Sequence, residues 1–191
     1  MKKMKFLLLI FLLASGTTFA QSTWVIDKPH SKISFNVIHM AITEVEGEFT
    51  DFDAKVTSTS DDFHNADVEF TAKVASIDTK NDRRDNHLRS DDFFNAEKFP
   101  EIKFKGKLVK EGNGYKLKGD FTMRDVTKPV TFDVTYGGTV DTGRGVKAGF
   151  KVTGKVNRKD YNLKWDNRLA GGELVVSDDV DIVCKIEMNK A

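Results

Sequence analysis

From Trp24 onward the chain alternates apolar and polar residues with a period of two, the signature of half-buried strands. Ile33, Phe35, Val37 and His39 fall on one side of a predicted strand, with Lys32, Ser34 and Asn36 on the other. The same alternation sets Val68, Phe70, Ala72 and Val74 against Glu69, Thr71 and Lys73, and Ile102, Phe104, Gly106 and Leu108 against Lys103, Lys105 and Lys107. It continues through Tyr115, Leu117, Gly119 and Phe121, then Val130, Phe132, Val134 and Tyr136. Val146, Ala148, Phe150, Val152, Gly154 and Val156 form the next row, and Val180, Ile182, Cys184, Ile186 and Met188 the last. Gly112-Asn113-Gly114 and Asp141-Thr142-Gly143 supply hairpin turns between rows. Short loops make antiparallel neighbours, and one charged face per strand means a sheet wet on one side. The sequence therefore predicts an all-β fold, an antiparallel barrel of about eight strands, because closure removes exposed edges. Gly106, Gly119 and Gly154 on inward rows fit bends or close approaches.

The segment 81–98 breaks the alternation. Asp85 and Arg89 stand four apart and can pair on a helix. Ser90 before Asp91 and Asp92 reads as a helix start. Phe93, Phe94 and Phe99 give the piece something to bury. The expectation is one or two short helices across a barrel opening.

The first twenty residues follow another rule. Lys2, Lys3 and Lys5 precede the short apolar run Phe6–Ala14, and Thr18-Phe19-Ala20 carries small residues at the positions a signal peptidase reads. This predicts a cleaved signal peptide over 1–20, export to a periplasm, and a single domain over 21–191. The run is too short for an ordinary membrane-spanning helix, so no stable membrane insertion is expected.

Composition narrows the function. Removing Lys2, Lys3 and Lys5 takes 30 basic residues to 27 against 29 acidic, which is no nucleic-acid footprint. One cysteine, Cys184, excludes an internal disulfide framework and a multi-cysteine zinc site. It sits in an inward row and reads as a sheltered, inert thiol. Fifteen Phe against two Trp and three Tyr suggests a large apolar interior. A barrel of this size can be filled by side chains or can hold a small ligand, and the alternation leaves both open.

A catalytic set is not visible. His30, His39, His64 and His87 share no metal-ligand spacing, and there is no nucleophile elbow or phosphate loop. His30 and Ser31 are adjacent, which on a strand would point them to opposite faces. The acid pairs Asp61-Asp62, Asp91-Asp92 and Asp178-Asp179 fit loop, helix-start and turn positions. His39 ends an inward row, where it serves either as a rim histidine or as a polar contact to a ligand at a cavity mouth. No cofactor and no metal are expected.

Several motifs run in order along the chain: Trp24-Val-Ile-Asp27-x-x-His30-Ser31-x-Ile33-x-Phe35-x-Val37-x-His39; Gly47-x-Phe49-x-x-Phe52; Ser76-Ile-Asp78-Thr79; and Arg84-Asp85-x-His87-Leu88-Arg89-Ser90-x-x-Phe93-Phe94. Phe99-Pro100-x-Ile102-x-Phe104, Gly119-x-Phe121-Thr122-Met123, Val126-Thr127-Lys128-Pro129-Val130, Arg158-x-Asp160-Tyr161 with Leu163 and Trp165, and Val176-Ser177-Asp178-Asp179-Val180 complete the series. With these the sequence resembles the YceI-like family, secreted lipocalin-like proteins that bind polyisoprenoid lipids. Asp125 stands where that family usually has Gly, which puts the local hairpin geometry in question.

The resemblance implies an extended lipocalin-like barrel whose apolar bore holds an isoprenoid chain, and it tips the interior from core towards cavity. The alternation then nominates Phe35, Val37, Phe70, Ala72, Phe104, Phe121, Phe132, Phe150, Val152, Ile182 and Ile186 as lining, with His39, Arg84 and His87 near a polar end. The expected activity is non-enzymatic: sequestering or carrying a polyisoprenoid or isoprenoid-quinone-type lipid. No nucleic-acid partner is expected, and an oligomer is possible. The rivals are an enzyme acting on an isoprenoid or quinone, with His39 or Asp27 as acid/base, and a filled barrel acting as a ligand-free stress-response interaction module.

Overall fold

A computed structural model describes residues 21–191; the signal-peptide expectation for 1–20 lies outside the described residues. Eleven strand segments follow the alternating rows. They are β1 (Ser22–Ile26), β2 (Lys32–His39), β3 (Thr43–Phe49), β4 (Phe52–Ser58), β5 (Ala66–Lys73) and β6 (Ile77–Asp78), then β7 (Glu101–Glu111), β8 (Gly114–Met123), β9 (Val126–Asp141), β10 (Val146–Asn157) and β11 (Asp179–Lys190). All pairings are antiparallel. The ring runs β1, β4, β5, β7, β8, β9, β10, β11 and returns to β1, which closes an eight-stranded barrel.

Three of the eight staves are kinked, which accounts for the extra segments. β1 and β2 both lie on β11, with Trp24 opposite Lys190 and Ile33 opposite Cys184. A 3₁₀ turn at Lys28–His30 separates them. Pro29 has no N–H to give a ladder there, and the turn removes His30 and Ser31 from the strand geometry expected for them. β3 and β4 break at Thr50-Asp51, and β5 and β6 at the 3₁₀ turn Val74–Ser76.

Glycine lets large rings cross the interior. Gly106 and Gly119 are direct cross-strand partners, and a Cβ on either would collide with the other's backbone and with the Phe104 ring. A Cβ on Gly154 would meet the Phe132 ring. These inward positions are close approaches between strands, where a side chain has no room.

The polar segment forms one α-helix, α1 (Asp82–Arg89). Its start is Asn81, whose side chain accepts from the Arg84 backbone N–H at 3.0 Å. Two expectations are corrected here. Ser90 ends the helix, with its backbone N–H on the His87 carbonyl, and Asp91 to Phe94 continue as turns. A hydroxyl followed by acids suits the start of the next turn as well as a helix, so the local signal was degenerate. Asp85 and Arg89 do not pair. Asp85 Oδ1 accepts from the Thr79 N–H at 2.9 Å and its hydroxyl at 2.6 Å, while Arg89 donates to the Ala75 and Ile77 carbonyls. These bonds fasten the helix to the end of the β5–β6 stave. At the β8–β9 turn Arg124 carries φ of 53°, and Asp125 accepts from the Asn162 side chain at 3.1 Å.

Candidate functional site

The inward rows surround a cavity of about 380 Å³, a size typical of small-ligand sites. All fourteen residues nominated from the sequence stand on its wall: Phe35, Val37, His39, Phe70, Ala72, Phe104, Phe121, Phe132, Phe150, Val152, Ile182, Ile186, Arg84 and His87. Phe104, Phe121 and Phe132 are packed into the core, and Ala72 is 1% exposed. Phe35, Phe70, Phe150, Val152, Ile182 and Ile186 are only partly covered although they point into the barrel. An inward apolar side chain that neighbours do not fully cover marks a void rather than a filled core.

One end of the void is shut by aromatic rings. Phe63 leaves the polar loop 59–65 and buries to 1% exposure. Its ring meets Trp24 at 5.0 Å, Phe150 at 5.1 Å and Tyr136 at 5.7 Å between centroids. Its backbone sits at φ of 57°, a costly conformation for a bulky residue. The loop is held there by the Tyr115 hydroxyl, which donates to the Asp62 carbonyl at 2.6 Å, and by the Lys110 N–H, which donates to His64 Nδ1 at 3.2 Å. Sequence reasoning missed Phe63, since a lone Phe in TSTSDDFHN has no periodic partner.

The opposite end carries the polar groups. α1 contributes Arg84 and His87, β2 contributes His39, and the segment 162–178 folds across. Arg84 donates from Nε to the Thr79 hydroxyl at 2.7 Å and from Nη2 to the Thr79 carbonyl at 2.8 Å. Among the described residues it has no carboxylate partner. His87 Nε2 lies 2.8 Å from Asp92 Oδ2, and its ring stands edge-on to Phe93 and Trp165. The His87 side chain is 41% exposed and also lines the void, so the cavity meets solvent here.

Segment 162–178 has little regular structure of its own, and one buried side chain organises it. Arg158, 3% exposed, donates to the carbonyls of Leu163 and Trp165 at 2.8 Å each and of Ser177 at 3.0 Å, and to Asp178 Oδ1 at 3.0 Å. The planar fork of guanidinium suits such a convergence of acceptors. Arg158 was visible in the sequence only as part of a motif.

Cys184 lines the cavity between Ile182 and Ile186, and burial pushes its thiol up to about 12. A thiol so seldom ionised is a poor nucleophile. Asp27 is not on the cavity wall. It faces Lys147 Nζ at 2.6 Å and His30 Nδ1 at 3.1 Å, and Lys147 holds its carboxyl down at about 2. It is therefore badly placed to act as the acid/base of a cavity reaction. Asp27, His30 and Glu187 cluster closely enough to suggest cation ligands, but the Lys147 ammonium already bridges the two carboxylates at 2.6 Å each.

Among the described residues no helix is long and apolar enough to cross a membrane. The barrel is similar to the Campylobacter jejuni YCEI protein, with a TM-score of 0.69, 31% identity, and coverage of 87% of this chain and 96% of that one. A domain from Saccharophagus degradans, described as polyisoprenoid binding, shares the fold at a TM-score of 0.64 and 12% identity, covering 88% of this chain and 98% of its own. In sequence the chain is 40% identical over 159 residues to a UPF0312 protein of Photorhabdus laumondii, spanning 81% of this chain and 83% of the relative. A UPF0312 protein of Staphylococcus aureus is 34% identical over 171 residues, spanning 88% and 98%. The profile of the YceI-like domain matches residues 24–188, from the first barrel strand to the last, and the chain belongs to the YceI-like family.

Proposed function

We propose that this protein is an exported, non-enzymatic lipid-binding barrel that holds a polyisoprenoid or isoprenoid-quinone-type chain in its bore. The observation that carries the reading is the row of inward, half-covered apolar side chains around a void that opens at its polar end. An apolar chain entering that void leaves water at about 25 cal/mol per Å², so covering about 300 Å² contributes about 7 kcal/mol. Its polar head lies at the end where Arg84, His39 and His87 stand. The name of the Saccharophagus degradans neighbour supports the isoprenoid assignment, and the leader-like residues 1–20 support export to a periplasm. The barrel would carry or shield such a lipid between membranes.

The test is lipid extraction and native mass spectrometry of purified protein beside an Ala54→Leu variant. Ala72, 1% exposed, has no room for a larger side chain, whereas Ala54 is partly uncovered on the same wall. Leucine there narrows the bore without touching an outward residue. Wild type carrying an isoprenoid lipid, and the variant carrying less of it or a shorter one at an unchanged melting temperature, is the expected result. A dry, empty wild-type interior overturns the reading.

A further inference from the structure

The β2–β3 hairpin, at the polar end of the cavity, turns through Met40-Ala41 with φ of 51° and 60°. Both central residues are left-handed, the mirror-image turn that normally calls for Asn-Gly. Neither Met nor Ala adopts it without cost. Ile42, beside them, is 84% exposed, and Met40 and Ile38 are 38% exposed each. Of the five large apolar side chains left exposed among the described residues, three sit on this one hairpin. Of the other hairpin connections, 59–65 turns its apolar residue, Phe63, inward to 1% exposure, and the rest hold Gly112-Asn113, Arg124-Asp125 and Thr142-Gly143-Arg144-Gly145. A strained tip whose apolar side chains are exposed thus occurs at one of these turns, and folding alone gives no reason for it.

The hairpin is also continuous with the cavity. Val37 and His39 on β2 and Val45 on β3 line the void, while Ile38 between them faces out. The tip is fixed to the segment across the mouth by the Met40 N–H, which donates to the Val175 carbonyl at 2.9 Å. On β3 only Glu48 and Phe49 meet β6, so the edge from Thr43 to Gly47 has no strand on that side. The exposed patch is a few side chains, on the order of a few hundred Å², against about 800 Å² per partner for a stable protein interface. That is too little for a stable dimer and suits shallow insertion among lipid headgroups.

We infer that the Met40-Ala41-Ile42 tip rests in the surface of a lipid bilayer, so that the ligand passes between membrane and cavity without crossing water. The inference builds on the reading of the cavity as a lipid site.

Two variants test it. Ile42→Asp puts a charge on the tip. The triple variant Met40→Asn, Ala41→Gly, Ile42→Ser relieves the left-handed turn, so it folds at least as well as wild type while losing the exposed Met40 and Ile42 side chains. Each is mixed with vesicles of phosphatidylcholine and phosphatidylglycerol in equal parts carrying solanesol, a long polyprenol. In a parallel arm solanesol is offered in detergent micelles. Wild type should float with the vesicles and Ile42→Asp should not. Uptake from vesicles should slow by about tenfold or more in both variants, since each loses apolar contact worth that factor, while uptake from micelles stays at the wild-type rate. Variants that load from vesicles as fast as wild type overturn the inference and leave the cavity reading standing. A wild type that loads from neither source removes the cavity reading and this inference with it. A concentration-dependent dimer with no flotation would assign the tip to a second copy of the chain and overturn the membrane assignment.

Discussion

Phe63 and Phe150 meet edge to face with ring centroids 5.1 Å apart, and the bore ends at that contact. Phe150 belongs to both neighbourhoods, stacking on Tyr136 at 5.2 Å and lining the void. Phe63 lies behind it and does not reach the wall. Phe150→Ala should therefore deepen the cavity at its closed end. The expected outcome is a bound lipid longer than the wild-type one, read by mass spectrometry of extracts from cells making each protein. A melting-temperature change with no change in ligand would show that the bore does not end at this ring. Phe63→Ala leaves a hole in a fully packed layer and should cost about 3–5 kcal/mol in denaturant unfolding.

Arg158 is the one buried side chain that gathers acceptors from both ends of the segment across the mouth. Arg158→Lys keeps the charge but cannot reach acceptors on Leu163, Trp165, Ser177 and Asp178 together. Arg158→Leu also leaves those acceptors unpaired and should destabilise by about 3–5 kcal/mol. In both variants hydrogen exchange over residues 162–178 should rise before that of the barrel strands. Exchange rising evenly through the barrel would mean that the segment does not depend on Arg158.

The pattern along the chain disclosed the wall better than the ends. Phe35, Phe70, Phe104 and Ile182 face the cavity, the direction the alternation assigns them, because a period of two is enforced by the pleat itself. The same pattern could not separate cavity from core. Both occur: the Phe104 and Phe132 rings lie over glycines and fill space, while Phe70, Val152 and Ile186 face a void. Alternation reports direction, and the gap depends on distances between strands far apart in sequence. The alternation assigns no role to Phe63 or Arg158 for a related reason. Each works through contacts with an irregular loop, and irregular backbone has no period to read. Ser90 misled because a capping hydroxyl can close one turn as readily as it opens another.

Acid should loosen the junction between β1 and β2. Asp27 is held at about 2 by Lys147, against an ordinary value of 3.8. A carboxyl lowered in the folded state contributes stability that is complete above its unfolded value and lost as pH falls towards the folded one. Glu101, held at about 2 by Lys73 and Lys103 against 4.5, acts in the same direction. Melting temperature should thus fall between about pH 4.5 and 2. Asp27→Asn should flatten the part below about pH 4 and lower stability at neutral pH, where Lys147 keeps only Glu187. An unchanged acid limb in the variant would show that Asp27 and Lys147 do not interact in solution.

Cys184 offers a reporter of what the cavity holds. Its sulfur stands on the wall between Ile182 and Ile186, and burial raises its thiol to about 12. At mildly alkaline pH little thiolate forms, and a bulky charged reagent must enter an apolar bore to reach it. Reaction with such a reagent should be slower in the native protein than in denaturant by at least about a hundredfold. The comparison that bears on function is between protein as purified and protein stripped of lipid with detergent. A small apolar thiol reagent should label the stripped protein faster, because the reagent and an isoprenoid chain compete for one space. Adding a polyprenol back should restore the slow rate. Equal labelling of both forms would mean that the lipid lies elsewhere on the protein. Equal rates in native and denatured protein would mean that β11 presents its other face to the bore, and the lining set would shift by one residue along that strand.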